Sequence, residues 1–330
     1  MSLLERRPTV GVVSRVLASR PSLQGTSTTL VAVATGVLAI AASLTIDSFA
    51  TTSNLRGLCL AVSLSGIVAV GLSLVTIGGQ LFSLSIPALV ALSTISFATT
   101  LHFGLWAALA LTVALGTGVG VVQGLVVGRF DADPIITTIA AAAIMVGLGQ
   151  LWTNGRTIIG HGDAELFNSN VFGFLPFQTL VFMLLTALLY WLYRFTVTGR
   201  KLTLLGLNGR AATMSGIRKA PLITMAFGIS GLTTGIAGTM LAAQTNNGQL
   251  LLGSSLGFDA IVAVIVGGVA IGGGVGTPLG AAIGAVFVGL LANVASLIGL
   301  DYQWQLVAEG VLILSVVLTT GALAGRRQRR

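Results

Sequence analysis

The stretch LRGLCLAVSLSGIVAVGLSLVTI, residues 55–77, decides the fold of this chain. It contains a single charged side chain, Arg56, and a helix of about 20 mostly apolar residues is long enough to cross a bilayer. Nine further stretches of this kind flank it. The ten predicted spans are 28–46, 55–77, 84–101, 103–127, 134–152, 171–193, 221–242, 258–271, 278–298 and 303–323. The sequence therefore predicts an all-α, polytopic integral membrane protein.

The composition agrees with a lipid-facing exterior. Of the 330 residues, 54% are apolar and 8% are charged, whereas a soluble protein carries about a quarter charged residues. The 44 glycines suit close packing of helices within a bilayer. The net charge of +8 comes from basic residues at the ends of the apolar stretches. These residues are typical of membrane anchors, so we predict no nucleic-acid partner.

The eighth predicted span, 258–271, is short, and residues 272–277 after it read GGGVGT. Short spans with glycine-rich ends are typical of broken or re-entrant helices, which need protein or a water-filled cavity around them.

Basic residues predict the orientation. If the N-terminus is cytoplasmic and the spans alternate, fifteen of the seventeen Lys and Arg residues lie inside, and only Arg56 and Arg156 lie outside. Both termini are then cytoplasmic. We divide the chain into a cytoplasmic tail (1–27), a single transmembrane domain (28–323) with a cytoplasmic segment at 194–220, and a basic cytoplasmic tail (324–330).

Catalytic motifs are not found in the sequence. The chain has two lysines, Lys201 and Lys219, and neither ends a phosphate-binding G-x-x-x-x-G-K-[ST] loop. His102 and His161 lack metal-ligand spacing, and the single cysteine, Cys59, permits no intramolecular disulfide. We expect no enzyme activity and no cofactor bound by this chain.

Two carboxylates fall within predicted spans, where a buried charge is costly and is a functional candidate. Asp259 begins the eighth span, and a helix-capping role is the competing interpretation. Glu309 lies in the tenth span, where packing or a wet vestibule is the alternative to a proton relay. Asn293 is one of several neutral polar residues that could bond a polyhydroxylated solute.

The segment from Gly206 to Ile217 is predicted to form a short cytoplasmic helix. Asn208 can cap its start, and Gly216 can end it in the left-handed conformation. Asn208, Ala212 and Ser215 share one small, polar side by their spacing, and Met214 and Ile217 give the apolar side. Docking of this small side into a groove of a soluble partner and lying flat at the lipid headgroups are both consistent with this pattern.

These residues resemble the coupling segment of the ribose-type sugar ABC permeases, which contacts the ATP-hydrolysing subunit in that family. Gly78-Gly79 with Ser83 is similar to the family's Gly-Gly-Ile-Asp-Leu-Ser motif, although the aspartate position holds Leu81. Asp259-Ala260-Ile261 and the glycine pairs after it resemble a second motif, and the resemblance covers about residues 55–318. The matching coupling residues are Gly206, Leu207, Asn208, Ala211, Ala212, Ser215, Gly216 and Ile217.

The resemblance implies a permease of the bacterial inner membrane that imports a sugar or similar polar solute. Its implied partners are a second permease copy or paralogue, an extracytoplasmic solute-binding protein and two ATP-binding subunits, which would use ATP and Mg. An ion-coupled secondary transporter and a passive pore are the alternatives. Candidate residues of the translocation path are Gly78, Gly79, Ser83, Asp259, Asn293 and Glu309.

Overall fold

The structure is a computed structural model that describes residues 21–171, 175–301, 303–308, 310–311 and 314. Two short antiparallel pairs join β1 (Ile158–Ile159) to β4 (Asn247–Gly248) and β2 (Asn170–Val171) to β3 (Leu175–Pro176). The α-helices of the described ranges are α1 (Pro21–Thr45), α2 (Thr52–Ile77), α3 (Ile86–Thr100), α4 (Leu105–Arg129), α5 (Pro134–Thr153), α6 (Glu165–Asn168), α7 (Phe177–Phe195), α8 (Val197–Leu207), α9 (Gly209–Met214), α10 (Lys219–Thr245), α11 (Ser254–Val266) and α12 (Pro278–Leu297).

The predicted all-α, polytopic class is confirmed. Within the described ranges, eight helices are long and apolar enough to cross a membrane, namely α1 to α5, α7, α10 and α12. The tenth predicted span starts as a helix at residues 303–308. Most of that span, the first 20 residues and the basic tail lie outside the described residues, so the count of ten and the cytoplasmic termini stay predictions.

Some helix boundaries differ from the sequence prediction. Helix α1 begins at Pro21, seven residues before the predicted span, and its candidate membrane span runs from Thr28 to Thr45. Helix α7 begins at Phe177, six residues after the predicted start, because Asn170 and Val171 pair with the β3 strand.

Helix α2 lies at the centre of the fold. Every residue from Val62 to Ile77 is buried, and α7, α10, α11 and α12 all pack against this helix. The burial explains why α2 is apolar on all sides, as expected of a helix surrounded by protein within a membrane domain. Any movement of α2 must therefore be accommodated by four neighbouring helices.

A row of glycines joins α4 to α10. Gly116, Gly120, Gly124 and Gly128 recur every four residues and share one face of α4. A Cβ on any of them would meet the α10 backbone at 3.2 Å or less. The small residues thus allow two membrane helices to touch backbone to backbone.

Helix α11 has 13 residues and is about 20 Å long, which is less than the hydrocarbon thickness. The loop 267–277 follows it, and its backbone groups form hydrogen bonds that include Ala270 N–H to the Val275 carbonyl (3.0 Å). The sequence-based prediction of a short helix with a glycine-rich end is confirmed, although the helix starts four residues earlier than predicted. It starts at Ser254 because Gly253, with a φ of +77°, ends the preceding turn.

Candidate functional site

The segment predicted to couple the chain to a partner folds as the short helix α9. The Ala211 N–H donates to the Asn208 side-chain oxygen at 3.0 Å, which caps the helix start. Gly216, with a φ of +81°, ends the helix. The amides of Gly216 and Ile217 donate to the carbonyls of Thr213 and Ala212, each at 3.0 Å. This is a Schellman motif, so the predicted caps at both ends are confirmed.

The exposed face of α9 is not the predicted one. Ala212 is 5% exposed and belongs to the main apolar cluster of the protein, against which Ile217 packs. Met214, in contrast, is 91% exposed. The predicted docking face of Asn208, Ala212 and Ser215 is therefore wrong, because Ala212 at its centre is buried. The Schellman turn brings Ile217 back toward Ala212, and this turns the small side of the helix inward.

Three glycine-containing backbone segments meet next to the start of α9. A Cβ on Gly206, near the end of α8, would overlap the Ile77 carbonyl oxygen of α2 and the Gly274 amide of the loop 267–277. Gly79 lies in the left-handed region at a φ of +79°, and a Cβ there would lie 3.0 Å from the Gly206 Cα. Gly273 in turn packs on the Gly79 Cα. The three sequence motifs of the resemblance thus converge at one point, which we call the glycine junction.

The glycine junction forms one wall of a cleft of about 660 Å³, which we call the coupling cleft. Lys219 and Asp131 form an ion pair in it, with side chains that are 35% and 74% exposed. Arg210 adds a second cation. The described lining residues are Gly78, Gly79, Gln80, Asp131, Leu205, Gly206, Gly209, Arg210, Thr213 and Lys219.

Sequence reasoning missed Asp131 and Thr213 in the coupling cleft. Asp131 follows α4 and has a φ of +53°, and Asp133 two residues later caps α5 through the amides of Ile135 and Ile136 (2.8 and 3.1 Å). The predicted topology was the available signal for Asp131, because it places this turn on the same side as Lys219.

Ser83 is buried in the turn between α2 and α3. Its hydroxyl lies 2.9 Å from the Ser85 hydroxyl, which donates to the Gln123 side-chain oxygen at 3.0 Å. The neighbouring Leu84 amide donates to Thr138 at 3.2 Å. These bonds hold the turn that follows Gly78 and Gly79 against α4 and α5.

Asp259 and Asn293 line one cavity of about 160 Å³ between α2, α11 and α12, which we call the polar cavity. Ser65 is its further polar lining residue. The capping role predicted for Asp259 is wrong, because α11 starts at Ser254 and places Asp259 beyond the first helical turn. Asn293 exchanges two amide hydrogen bonds with Asn54, at 2.8 and 3.1 Å.

The candidate path residues thus occupy separate places. Gly78 and Gly79 line the coupling cleft at the end of α2, whereas Asp259 and Asn293 line the polar cavity beside its first half. Helix α2 connects the two. Glu309 lies outside the described residues, and the roles assigned to all six stay predictions.

Apolar spanning helices packed around a buried central helix, with a polar cleft at one end, define a multi-pass membrane permease. Residues 54–317 match a family model, and the chain belongs to this family, described as the permease component of branched-chain amino acid transport systems. It is 31% identical to the ribose import permease protein of Bacillus subtilis over 86% of this chain and 89% of that protein.

Two other relatives carry arabinose in their names. The chain is 30% identical to the L-arabinose transport system permease protein of Escherichia coli K12, over 86% of this chain and 87% of that protein. It is also 30% identical to the L-arabinose ABC transporter permease protein of Azospirillum brasilense, over 85% of this chain and 84% of that protein. No solved structure gives a significant match. The suspected resemblance to carbohydrate-uptake ABC permeases is confirmed.

Proposed function

We propose that this chain is the membrane-spanning subunit of an ATP-driven importer and moves a monosaccharide or similar polyol. Separate ATP-binding subunits hydrolyse ATP with Mg, an extracytoplasmic binding protein delivers the solute, and a second permease copy or paralogue completes the path. The chain itself performs no chemistry.

The glycine junction is the observation that carries this proposal. It places α8, the end of α2 and the loop before α12 in direct backbone contact, and the helix that would meet the ATP-binding subunit, α9, follows α8 after Asn208. No side chain separates these backbones, so no rotamer change can absorb a displacement that α9 passes to α8. A push on α9 therefore moves α2, whose first half lines the polar cavity.

The docking face follows from the burial of α9. Ala211 and Met214, three residues apart, lie on its exposed side, with Ser215 beside them. We call this set the outer face. Met214 at its centre is an apolar side chain in a basic surrounding, and such a residue gains free energy when a partner groove buries it. The outer face replaces the small face predicted from the sequence.

The polar side chains that line the polar cavity favour a solute with hydroxyl groups. Ser65 and Asn293 supply hydroxyl and amide groups, and Asp259 adds a carboxylate acceptor. Hydroxyls of a sugar donate to and accept from such groups. The relatives named for ribose and L-arabinose point to the same class of solute.

A first experiment tests docking. The variant Met214→Glu, co-expressed with an ATP-binding subunit of a sugar importer, should retain less of that subunit on purification and import less ribose. Its amount in the membrane should stay normal, because Met214 is exposed. The control Leu251→Glu changes another highly exposed apolar residue on the opposite side of the membrane and should retain the ATP-binding subunit. Full retention by Met214→Glu would remove the outer face from the mechanism.

A second experiment tests the source of energy. Liposomes that contain the chain alone should take up no ribose or arabinose, whereas liposomes with the ATP-binding subunits, the binding protein and ATP should do so. Uptake by the chain alone, driven by an ion gradient and lost in Asp259→Asn, would establish a secondary transporter. Uptake by the chain alone down a solute gradient, with neither ATP nor an ion gradient, would establish a pore.

A further inference from the structure

A third cavity lies apart from the coupling cleft and the polar cavity, between α1, α7, α8 and the start of α12. Its volume is about 630 Å³. Two arginines, Arg194 and Arg200, and two tyrosines, Tyr190 and Tyr193, line it together with threonine hydroxyls, and its described lining contains no acidic residue. We call it the basic pocket. It offers positive charge and hydrogen-bond donors to an anion.

The turn between α7 and α8 builds the basic pocket. Thr196 separates the two helices, and its hydroxyl accepts from the Gly199 amide at 3.2 Å. Gly199 packs on the Tyr193 carbonyl so closely that a Cβ would overlap it. The Thr203 hydroxyl donates to the Tyr193 hydroxyl at 3.3 Å. This tight turn brings α8 back toward the end of α7, so Arg194 and Arg200 line the same cavity.

An apolar groove of about 370 Å³ continues from the basic pocket between α7 and α12. Tyr190 and Leu279 line both, so the two are continuous. From Tyr190 to Phe182 the groove follows α7 for about 12 Å, which is most of the ~15 Å depth of one bilayer leaflet. The remaining lining is Met183, Thr186, Ala187, Ala282, Ile283 and Val286.

We propose that the basic pocket and the apolar groove together bind one anionic phospholipid of the cytoplasmic leaflet. The phosphate lies between Arg194 and Arg200, and one acyl chain lies in the groove. Charge complementarity selects an anionic headgroup, because both cations lack an acidic neighbour in the described lining. Tyrosines at the pocket match the headgroup depth, where amphipathic rings are enriched.

The experiment measures lipid retained by the purified full-length chain. After exchange into mixed micelles of phosphatidylglycerol and phosphatidylcholine, native mass spectrometry counts each lipid per chain. We expect preferential retention of phosphatidylglycerol. Each arginine near an anionic lipid is worth about a five-fold change in affinity, so Arg194→Gln with Arg200→Gln should weaken retention about thirty-fold.

Matched controls separate the site from general surface charge. Arg129→Gln with Arg218→Gln removes the same charge on the same side, outside the pocket, and should retain phosphatidylglycerol like the unmodified chain. Ala187→Trp fills the groove and should lower retention, whereas Leu188→Trp, outside the groove lining, should not. Both positions are exposed, so the core is unchanged.

Four results would overturn the proposal. Equal retention of both lipids, or equal loss in the two double-arginine variants, would show that the pocket does not select an anionic lipid. Displacement of the lipid by inorganic phosphate would show that the headgroup contact alone holds it. A change in the oligomeric state of Ala187→Trp at unchanged lipid content would show that the groove is an interface between copies of the chain.

Discussion

The amide of Gly274 donates a hydrogen bond to the carbonyl oxygen of Ile77 at 2.8 Å. The bond ties the loop that follows the short helix α11 to the last residue of the central helix α2. Gly206 of α8 lies against the same two residues. Three segments that are far apart in the sequence therefore share one contact, and substitutions there test whether it transmits movement.

Gly206→Ala should lower both stability and uptake. The added methyl would overlap Ile77 and Gly274, and such overpacking costs about 1–3 kcal/mol. Gly209→Ala is the matched control, because a Cβ there meets nothing within 4 Å. Thermal unfolding of the purified chain and solute uptake with its partners measure the two effects. Equal behaviour of the two variants would show that the glycine junction tolerates a side chain.

Gly120→Ala should destabilise the contact between α4 and α10. Its Cβ would overlap the Phe227 carbonyl, and we expect a cost of about 1–3 kcal/mol. Gly118→Ala lies on the same helix with open space around it and should be neutral or stabilise by up to about 1 kcal/mol, because alanine favours helix. Melting temperatures of the two variants, measured in the same detergent, test this prediction. The prediction fails if Gly118→Ala is the more damaging change.

Asn54 and Asn293 should behave as a coupled pair. Their two side-chain hydrogen bonds join the start of α2 to α12, and each single alanine variant should cost about 1 kcal/mol or more. The double variant should cost less than the sum, since the first change already breaks both bonds. A double-mutant cycle, built from the free energies of unfolding of the single and double variants, tests this expectation. Additive costs would show that Asn293 acts independently, as a residue of the solute path would.

The Lys219–Asp131 ion pair should contribute little to stability. Both side chains are partly or largely exposed, and exposed pairs are worth about 0–1 kcal/mol. Lys219→Gln should therefore shift the melting temperature by a few degrees at most, and by less in high salt. A large shift would assign the pair a structural role in the coupling cleft.

Reporter fusions test the topology. A fusion after Lys219 should read cytoplasmic and one after Gly162 external. The structure places these positions at separate groups of turns: Lys219 pairs with Asp131, whereas Gly160 bonds to the Asn246 carbonyl at 3.1 Å. An external Lys219 would contradict both the orientation and the docking of α9.

Local signals made much of the fold predictable. A long apolar stretch identifies a span wherever it occurs, and the caps of α9 depend on residues three positions apart, such as Asn208 and Ala211. The side of α9 that faces inward was not predictable, because it depends on a core to which α9 adds Ala212. The start of α11 depended on the backbone of Gly253, whose positive φ was not inferred from the sequence.

The candidate site was predictable as separate motifs but not as one place. Gly79, Gly206 and Gly273 each belong to a recognisable pattern, and only the tertiary fold brings them together. The polar cavity could not be predicted from the sequence either, because Asp259 and Asn293 lie on different helices.

The glycine row of α4 also has a consequence for slow amide exchange. Along residues 116–128 the backbones of α4 and α10 exclude solvent from each other over about three turns. Deuterium can reach the amides on this contact face only when the two helices separate together, because no side chain between them can open a local path. In a deuterium-labelling time course, the four glycines of this row and their partners on α10 should acquire the isotope in a single late phase.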